Sequence, residues 1–314
     1  MQTVVHKPVL LNEVMLALQP RAGGRYFDGT VGGGGHAEAI LEASAPTGWL
    51  LGCDRDGEAV ERTRKRLARF GGRFDIRWGA FAEVADWGES GKFDGAVLDL
   101  GVSSMQLEQA KRGFSFLQDG PLDMRMDQRQ SFTAAQVLAE AGVEELADMF
   151  RELGEERHAR RMARIIDQAR RVHPIVSTLQ LAQMIERSFP RHGRRLHPAT
   201  RCFQALRIRV NDELAALERG LNVVWSRLKV GGRLAVISFH SLEDRVVKDF
   251  GRQGARAYTV EGPMDVPELR RERQPELVCV TKKAMQPSAA EIAGNPRARS
   301  ARLRVFERIY ESES

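Results

Sequence analysis

The chain has few cysteines and no long apolar run. Its 314 residues include three widely spaced cysteines, Cys53, Cys202 and Cys279. An odd and scattered set of this kind argues against a disulfide framework and against a cysteine-based zinc site. No apolar run reaches the length of a transmembrane helix, and Asn12 and Glu13 interrupt the apolar N-terminal stretch that a signal peptide would need. We therefore expect a cytoplasmic protein that does not act at a membrane.

Acidic residues are too few to balance the basic ones. The chain carries 48 Lys and Arg against 42 Asp and Glu, which gives a formal net charge of +6. Hydrophobic residues make up 42% of the chain, enough for a buried core, and the length allows two domains or one domain with a large insertion. Because the excess charge is small, its distribution along the chain is more informative than its sum.

A glycine-rich turn within residues 25–36 organises the N-terminal part of the chain. β-forming residues lead to Asp28, four consecutive glycines occupy 32–35, and helix-forming residues continue from Ala37. This order predicts a strand, a glycine turn and a helix. Glycines let the backbone approach a ligand closely, and the helix N-terminus favours polar or negative ligand groups. The same arrangement also occurs where a helix only packs on a strand, so the turn alone is a weak signal.

A second apolar strand, 48–54, ends in Asp54, roughly 20 residues beyond the turn, where a doubly wound fold places the acid that binds a ribose. The site is therefore expected to hold a nucleoside-bearing cofactor. Both NAD and S-adenosylmethionine (SAM) fit this description. Asp28, the acid at the end of the first strand, suits the cationic methionine part of SAM better than a pyrophosphate.

Three further positions at predicted strand ends are candidate site residues. A third strand leads to Phe81, which is either a wall for a purine ring or ordinary core. The fourth strand, 93–99, ends in Asp99, which is either a site residue or an acid that anchors a loop. A later strand ends in His240, which either faces the same crevice or caps the next helix. All three would lie at the edge where α/β enzymes bind their ligands.

The alternation of strands and helices stops near Met105. Five helices are predicted after it, the last one continuous over 198–227, before strands resume. Two strand candidates near the C-terminus predict a terminal hairpin at the edge of the sheet. We therefore predict an α/β fold in which the sheet domain, 1–104 and 221–314, is interrupted by an all-helical domain at 105–220.

Basic residues concentrate in one segment of this predicted helical domain. The segment 187–209 contains no acid. Its basic side chains are Arg187, Arg191, His192, Arg194, Arg195, His197, Arg201, Arg207 and Arg209. Such a patch predicts contact with a nucleic acid. A second basic run at 157–164 is better explained as a solvated, charged helix face.

Eight motifs occur along the chain in the order of one known family. They are Asp28-Gly-Thr-Val-Gly-Gly-Gly-Gly-His36, Asp54-Arg-Asp56, Asp99-Leu-Gly-Val-Ser-Ser104, Arg112-Gly-Phe-Ser-Phe116, Pro121-Leu-Asp-Met-Arg-Met126, His197-Pro-Ala-Thr-Arg201, Gln204-Ala-Leu-Arg-Ile208 and Ser238-Phe-His-Ser-Leu-Glu-Asp-Arg245. Together they closely resemble the RsmH (MraW) family of bacterial SAM-dependent methyltransferases. The resemblance extends from His6 to Ser300 and therefore covers nearly the whole chain.

The resemblance implies a fold, a reaction and a set of site residues. It implies a Rossmann-like class I SAM methyltransferase sheet with an inserted helical domain. The implied substrate is the N4 amino group of one cytidine in the decoding region of 16S rRNA, within the small ribosomal subunit. The residues implied to bind SAM are Gly34, Gly35 and His36 at the methionine end, Asp54 at the ribose and Phe81 at the adenine, with Asp99 and Gln106 completing the pocket. No metal is required for this chemistry.

The fourth strand and the loop after it supply candidates for catalysis and base recognition. Many enzymes that methylate amino groups of nucleic acids carry D/N-P-P-Y/F after the fourth strand, but this chain has Asp99-Leu-Gly-Val102. The aromatic clamp for the base must then come from elsewhere, and Phe114 and Phe116 are candidates. We predict that Asp99 accepts an N4 hydrogen, directly or by shaping the cofactor pocket. His240 is a weaker candidate for orienting the base or relaying the proton.

Two other functions are compatible with parts of the pattern. An NAD-linked oxidoreductase would use the same glycine turn and ribose acid, although the fourth strand and the arginine-rich insertion argue against it. A non-catalytic, RNA-binding factor for ribosome assembly would need the basic segment and no cofactor, although the intact turn and strand-end acids argue against that. The sequence is compatible with a homodimer and does not show the oligomeric state.

Overall fold

The computed structural model describes residues 8–88, 91–189, 197–262 and 264–310. Five residues named above lie outside these ranges: His6, Arg191, His192, Arg194 and Arg195. The chain forms two compact units. The first is discontinuous and consists of Met1–Gly101 with Leu214–Ser314, and the second is Val102–Glu213. We refer to them as the sheet unit and the helical unit.

The sheet unit is built on a mixed β-sheet. In chain order, the strands of the described residues are β1 (Arg25–Asp28), β2 (Trp49–Asp54), β3 (Phe74–Trp78), β4 (Phe93–Asp99), β5 (Leu228–Ser238), β6 (Tyr258–Val260), β7 (Arg270–Glu272), β8 (Leu277–Cys279) and β9 (Arg302–Arg308). Seven of them form one sheet in the order β3-β2-β1-β4-β5-β9-β8, while β6 and β7 pair separately. Strands β1 to β5 are parallel to one another, and β9 is antiparallel to both β5 and β8. This order confirms the predicted Rossmann-like sheet and its antiparallel terminal pair.

Helices flank this sheet and form the helical unit. The α-helices of the described residues are α1 (Leu11–Leu18), α2 (Gly35–Ala43), α3 (Gly57–Leu67), α4 (Ser104–Glu108), α5 (Ala134–Glu140), α6 (Val143–Glu152), α7 (Ala159–Arg170), α8 (Thr178–Ser188), α9 (Thr200–Asn211), α10 (Glu213–Ser226), α11 (Ser241–Gly254) and α12 (Ala289–Gly294). Within the described ranges, none of them combines the length and apolar character needed to cross a bilayer.

The central strands are buried on both faces, which explains their continuous apolar runs. Consecutive residues of β1 point to opposite sides, so Tyr26 joins one hydrophobic cluster and Phe27 the other. On β4, Val97 belongs to the first cluster, while Ala96 and Leu98 belong to the second. Full burial of one such large apolar side chain contributes roughly 1.5–3 kcal/mol to folding. Both faces therefore stabilise the edge that carries the candidate site.

The helix predicted over 198–227 is interrupted, so that prediction was wrong. Asp212 separates α9 from α10 and adopts a left-handed backbone conformation with φ of 49°. Asn211 fixes this break, because its Oδ1 accepts a hydrogen bond from Met126 N at 2.7 Å and its Nδ2 donates to Met124 O at 2.8 Å. The apolar spacing continues on both sides of Asp212, and helical periodicity alone therefore does not reveal a one-residue break.

The helical unit has its own hydrophobic core, to which helices α5 to α9 contribute. The side chain of Arg112 is fully buried beside this core, and its Nη2 donates to the carbonyls of Arg125 and Met126. These bonds order the strandless segment that precedes α5. At the start of α8, Ser177 and Gln180 form half of the capping box that their spacing predicts. Ser177 Oγ accepts a hydrogen bond from Gln180 N at 3.2 Å. Gln180 Oε1, however, accepts its hydrogen bond from Val176 N and not from Ser177 N.

Candidate active site

Three neighbouring strands of the sheet end in aspartates. Asp28, Asp54 and Asp99 are the last residues of β1, β2 and β4, and these strands are adjacent in the order β2-β1-β4. The strand order reverses between β1 and β4, which makes this the topological switch point where open α/β sheets bind ligands. The sequence therefore places three carboxylates at the one edge where a ligand is expected.

Asp28 lies at the centre of this edge and is almost completely buried. Its pKa is raised to about 7, mainly by burial. The hydrogen bond from Thr30 N at 3.1 Å lowers this pKa in part, and the charge of Asp54 raises it. Near neutral pH, this carboxyl is therefore poised between its two protonation states. A positive charge placed beside it would favour the ionised state.

Asp54 connects the second strand to the glycine turn. Its Oδ2 accepts a hydrogen bond from Gly32 N at 2.9 Å, and its Oδ1 accepts one from Asp56 N at 2.9 Å. Burial raises its pKa to about 6, although these two hydrogen bonds oppose the shift. A carboxylate offers about four lone-pair positions, so two accepted bonds leave room for the hydroxyl groups of a ligand.

The glycine turn brings bare backbone to the same edge. Gly32 and Gly34 have φ of 49° and 78°, in the left-handed region that favours glycine, and Gly34 forms the N-cap of α2. A side chain at Gly35 would bring its Cβ within 2.7 Å of Pro8, and one at Gly29 within 2.4 Å of Leu98. Close packing thus excludes larger residues here.

His36 lies in the first turn of α2 and is buried. Its Nε2 is 3.1 Å from the carbonyl oxygen of Val9, and its Nδ1 is 3.7 Å from Oδ2 of Asp99. A carbonyl oxygen can only accept, so the hydrogen of a neutral imidazole lies on Nε2. The lone pair of Nδ1 then faces the carboxyl group of Asp99.

Asp99 carries an acceptor atom that the described protein leaves unused. Its Oδ1 is buried and has no hydrogen-bond partner among the described residues. Burial raises the pKa of Asp99 well above its ordinary value, and the nearby carboxylates of Asp28 and Glu243 raise it further. The backbone is fixed at this point, because Asp99 N donates to Thr30 Oγ1 at 2.6 Å. A buried acceptor without a partner is unfavourable in an isolated protein and indicates a ligand contact.

His240 takes the capping role that the sequence leaves open. It is the N-cap of α11, where its Nδ1 accepts a hydrogen bond from Glu243 N at 3.4 Å. Glu243 completes the capping box by accepting from His240 N at 3.3 Å, and also accepts from Phe239 N at 2.8 Å. The ring is thus held by its own helix, and its part in catalysis stays a prediction.

The predicted aromatic contacts differ in exposure. Phe81 is 9% exposed, and a Cβ built at Gly220 would lie 2.0 Å from its ring, so most of the ring belongs to the core. Phe114 is buried in the core of the helical unit, which makes it a poor candidate for clamping a base. Phe116 is only partly buried, and its ring centroid lies 4.7 Å from the rings of both His197 and Phe203.

Gln106 belongs to the helical unit. There it closes a capping box at the start of α4: its Oε1 accepts from Ser103 N at 2.9 Å, and its own N–H donates to Ser103 Oγ at 3.2 Å. Its side chain is buried. The structure thus gives Gln106 a local structural role, and its contact with a cofactor stays a prediction.

Part of the basic segment is committed to structure. Arg207 forms a two-pronged ion pair with Glu213, with Nε and Nη2 each 2.8 Å from a carboxylate oxygen. Arg201 donates to the carbonyl of Glu155 at 2.8 Å, whereas Arg187 at the end of α8 is exposed. Among the described residues of the segment, Arg207 is thus engaged within the protein and Arg187 is exposed, and the nucleic-acid contact of the segment stays a prediction.

Sequence reasoning overlooked two groups that shape this site. Thr30 accepts the hydrogen bond from Asp99 N, and the carbonyl of Val9 fixes the ring of His36. Thr30 lies inside the glycine-turn motif, so its position was the available signal. The contact of Val9 joins residues 27 positions apart, and the sequence carries no pattern for it.

Comparison with known proteins gives a family for the whole chain. The model of the MraW methylase family matches residues 3–309. A protein of Syntrophotalea carbinolica named ribosomal RNA small subunit methyltransferase H is 50% identical over 310 residues, covering 97% of this chain and 98% of that protein. A protein of the same name from Citrifermentans bemidjiense is 51% identical over 315 residues, covering 98% of this chain and 100% of that protein.

Solved structures resemble the chain more distantly. An rRNA methylase from Streptococcus thermophilus aligns with 98% of this chain and 100% of its own, at 11% identity and a TM-score of 0.44. Similarity at this level does not indicate a function. The family match and the identity to full-length relatives, by contrast, agree with the eight motifs and with the observed sheet. The chain belongs to the MraW methylase family.

Proposed function

We propose that this protein transfers a methyl group from SAM to the N4 amino group of a cytidine in the decoding region of 16S rRNA, within the small ribosomal subunit. The observation that carries the proposal is the set of three strand-end acids beside the glycine turn, in a chain about half identical to proteins named small-subunit rRNA methyltransferases. We expect the reaction to take place in the cytoplasm, where bacterial ribosomal subunits are found.

The residues at this edge fit SAM chemically. Asp28 and Asp54 have pKa values raised to about 7 and about 6, mainly by burial, and a cationic ligand would relieve this cost. The unused Oδ1 of Asp99 offers an acceptor to a donor group. We assign the methionine end to Gly34, Gly35 and His36, the ribose to Asp54, the adenine to the remaining edge of Phe81, and the rest of the pocket to Asp99 and Gln106.

SAM, when bound, supplies an electrophilic methyl group. The protein must then improve a poor nucleophile, because the lone pair of a cytosine amino group is delocalised into the ring. Asp99 is suited to accept an N4 hydrogen and so help the nitrogen become pyramidal. A positive charge beside Asp28 and Asp99 would lower the pKa of both carboxyls and so favour the ionised form of Asp99, which accepts hydrogen bonds. Most of the rate enhancement is expected from positioning.

The helical unit is proposed to present the RNA. Its exposed Arg187 lies in the basic segment, and Phe116 offers a partly exposed ring. A cytosine must leave its stack to reach a methyl donor, and aromatic side chains commonly hold such an extruded base. Phosphate contacts made by arginines would position the strand without reading its sequence.

The family match decides against the NAD-linked oxidoreductase. It does not by itself exclude a factor that has lost catalysis, but the motif acids Asp28, Asp54 and Asp99 are all present in this chain. An assembly factor without a cofactor would have no use for three carboxylates with raised pKa values at one edge. We therefore favour the active enzyme.

The proposal is tested by methyl transfer from labelled SAM to small ribosomal subunits purified from cells that lack this protein. Mass spectrometry of the RNA would then locate the methyl group. We expect one new N4-methylated cytidine in the decoding region. Absence of transfer, with SAM still bound in a titration, would overturn the assignment of this RNA or of this assembly stage. Absence of SAM binding would overturn the enzyme and return the assembly factor to first place.

A further inference from the structure

The carbonyl groups of the glycine turn are held by side chains of α3. Thr63 Oγ1 donates to the carbonyl oxygen of Gly32 at 3.2 Å, and Arg66 Nη1 donates to that of Gly33 at 2.9 Å. Thr63 and Arg66 are three residues apart and so lie on the same face of the helix. One helix face thus fixes two successive peptide groups of the turn.

Arg66 is itself held in place by a carboxylate of α2. Its Nε and Nη2 lie 2.8 Å and 2.6 Å from Oε2 of Glu38, and Arg69 donates to the other oxygen of Glu38 at 2.9 Å. Burial alone would raise the pKa of Glu38, but its hydrogen bond and charge contact with Arg66 outweigh burial and lower it. The guanidinium group therefore has one fixed orientation, with Nη1 directed at Gly33.

These bonds determine which way the amide groups of the turn point. In a trans peptide, the carbonyl and the N–H of one peptide group point in opposite directions. With the carbonyls of Gly32 and Gly33 held towards α3, the N–H groups of Gly33 and Gly34 point away from it. On that side, Gly34 N donates to Val31 O at 2.6 Å. The N–H of Gly33 points to the side of the turn that faces away from α3.

We propose that Thr63 and Arg66 are positioning residues that preset the glycine turn to receive the amino-acid end of SAM. The inference rests on the proposed function, because it takes SAM as the ligand of this turn. Four consecutive glycines are the most flexible backbone available, and ordering them during binding would reduce the affinity. The two side chains of α3 remove this cost in the ligand-free protein.

The hydrogen bonds of Thr63 and Arg66 add to the apolar packing of α3 and do not replace it, although Thr63 is itself fully buried. The apolar face of that helix is buried through Val60 and Leu67, which pack in the same hydrophobic cluster as Leu41 of α2. Thr63 and Arg66 instead contact the turn: a Cβ built at Gly34 would lie 3.1 Å from Thr63 Oγ1 and 3.2 Å from Arg66 Cδ. Removing the polar groups of these two residues should therefore leave the helix folded.

Binding of three ligands to purified variants tests the inference. Thr63→Val and Arg66→Met remove the donors, while Arg69→Met is the matched control, because Arg69 also binds Glu38 but has no hydrogen bond to Gly32 or Gly33 among those observed. The ligands are SAM, S-adenosylhomocysteine and methylthioadenosine, which lacks the amino-acid part. We expect Arg66→Met to lower the affinity for SAM and S-adenosylhomocysteine roughly tenfold. The affinity for methylthioadenosine should fall less than about twofold.

A second measurement uses the ligand-free protein. Hydrogen exchange at the amides of the turn should be faster in Arg66→Met than in the parent protein, while exchange at Val60 should not change. At saturating SAM, the rate of methyl transfer should be unaffected, since only binding is impaired. Arg66→Lys should restore part of the affinity, because lysine keeps a charged N–H donor but lacks the forked geometry of the guanidinium group.

The outcomes separate this inference from the proposed function. An equal loss of affinity for all three ligands, or unchanged SAM affinity in Arg66→Met, would overturn the positioning role and leave the methyltransferase assignment intact. If the parent protein binds methylthioadenosine and SAM equally weakly, then both the positioning role and the cofactor assignment are wrong.

Discussion

The strand-end carboxylates of the sheet and two arginine-paired carboxylates of the helical unit have pKa values shifted in opposite directions. At the sheet edge, burial raises the pKa of Asp28 to about 7 and that of Asp54 to about 6. In the helical unit, burial would raise the pKa of Asp123, but hydrogen bonds from Arg125 outweigh this effect and lower the pKa. A hydrogen bond from Arg170 likewise lowers the pKa of Asp167. Acids with an arginine partner hold a structure together. The strand-end acids have no arginine hydrogen-bond partner among the described residues, and we propose that they receive a ligand that brings the positive charge.

The largest expected effect is on Asp99, the acid with an unused acceptor. Asp99→Ala should reduce methyl transfer at least ~100-fold, the range found for loss of a general acid or base, while RNA binding is largely retained. Asp99→Asn, which keeps the shape, should be similarly impaired. The measurement is methylation of small subunits together with RNA retention in a binding assay.

Its matched control is an acid of the other class. Asp123→Asn should lower the free energy of unfolding, because Arg125 loses a charged partner at 2.7–2.8 Å, yet the rate per folded molecule should be retained. Normal methylation by Asp99→Ala would contradict the catalytic role of Asp99. It would also remove the functional contrast between the strand-end acids and the arginine-paired acids.

The next effect is a pH dependence of opposite sign for stability and for SAM binding. The folded pKa of Asp28 is about 7 and its ordinary value is 3.8, so in this window the folded state binds more protons than the unfolded state. The free energy of unfolding of the ligand-free protein should therefore fall as pH rises through the window. SAM affinity should rise, because a cationic ligand favours the ionised carboxyls.

Denaturant unfolding and calorimetric titration at about pH 5.5 and about pH 8 would measure both trends. Asp28→Asn should reduce both trends, because an amide does not titrate, while Asp54 and Asp99 still contribute to them. If SAM affinity in the parent protein were instead greater at the lower pH, the buried acids would not be serving a cation.

The smallest effects on stability and RNA binding are expected from substitutions of two arginines in the basic segment. Arg207→Leu should lower the free energy of unfolding by about 1.5–3 kcal/mol, because its two-pronged pair with Glu213 is largely shielded from solvent. Arg187→Ala should leave stability unchanged, since the residue is exposed. It should weaken RNA binding modestly and reduce the salt dependence by about one unit of slope.

Thermal unfolding and RNA titration at several salt concentrations distinguish these two roles. A large loss of stability in Arg187→Ala would show that its side chain is structural after all. An unchanged salt slope would remove it from the proposed RNA surface.

The sheet unit was more predictable than the helical unit, for physical reasons. A parallel strand buried on both faces, such as 93–99, needs a continuous apolar run, and a glycine turn needs glycine, so both leave local signals. The break at Asp212 leaves none, because it depends on bonds from Asn211 to backbone 85 and 87 residues away.

The candidate site likewise combines features that leave a local signal in the sequence with features that do not. The strand-end acids follow from local pattern, and the motifs indicate the family. The contacts of Thr63 and Arg66 with the turn join residues 31 and 33 positions apart, and side chain to carbonyl bonds of this kind impose no periodicity. For the same reason, the sequence did not distinguish the structural Arg207 from the exposed Arg187.

The order of strands in the sheet has a consequence for how the protein is made. β4 and β5 are neighbours, with Asp99 opposite Ile237, yet the whole helical unit lies between them in the chain. During synthesis, the glycine turn and the first four strands therefore leave the ribosome well before the strand that covers β4. The helical unit, which has its own hydrophobic core, can fold while β4 still waits for its partner. An enzyme that is proposed to modify ribosomes thus completes this edge of its sheet only after β5, which ends at Ser238 of a chain of 314 residues, has been translated.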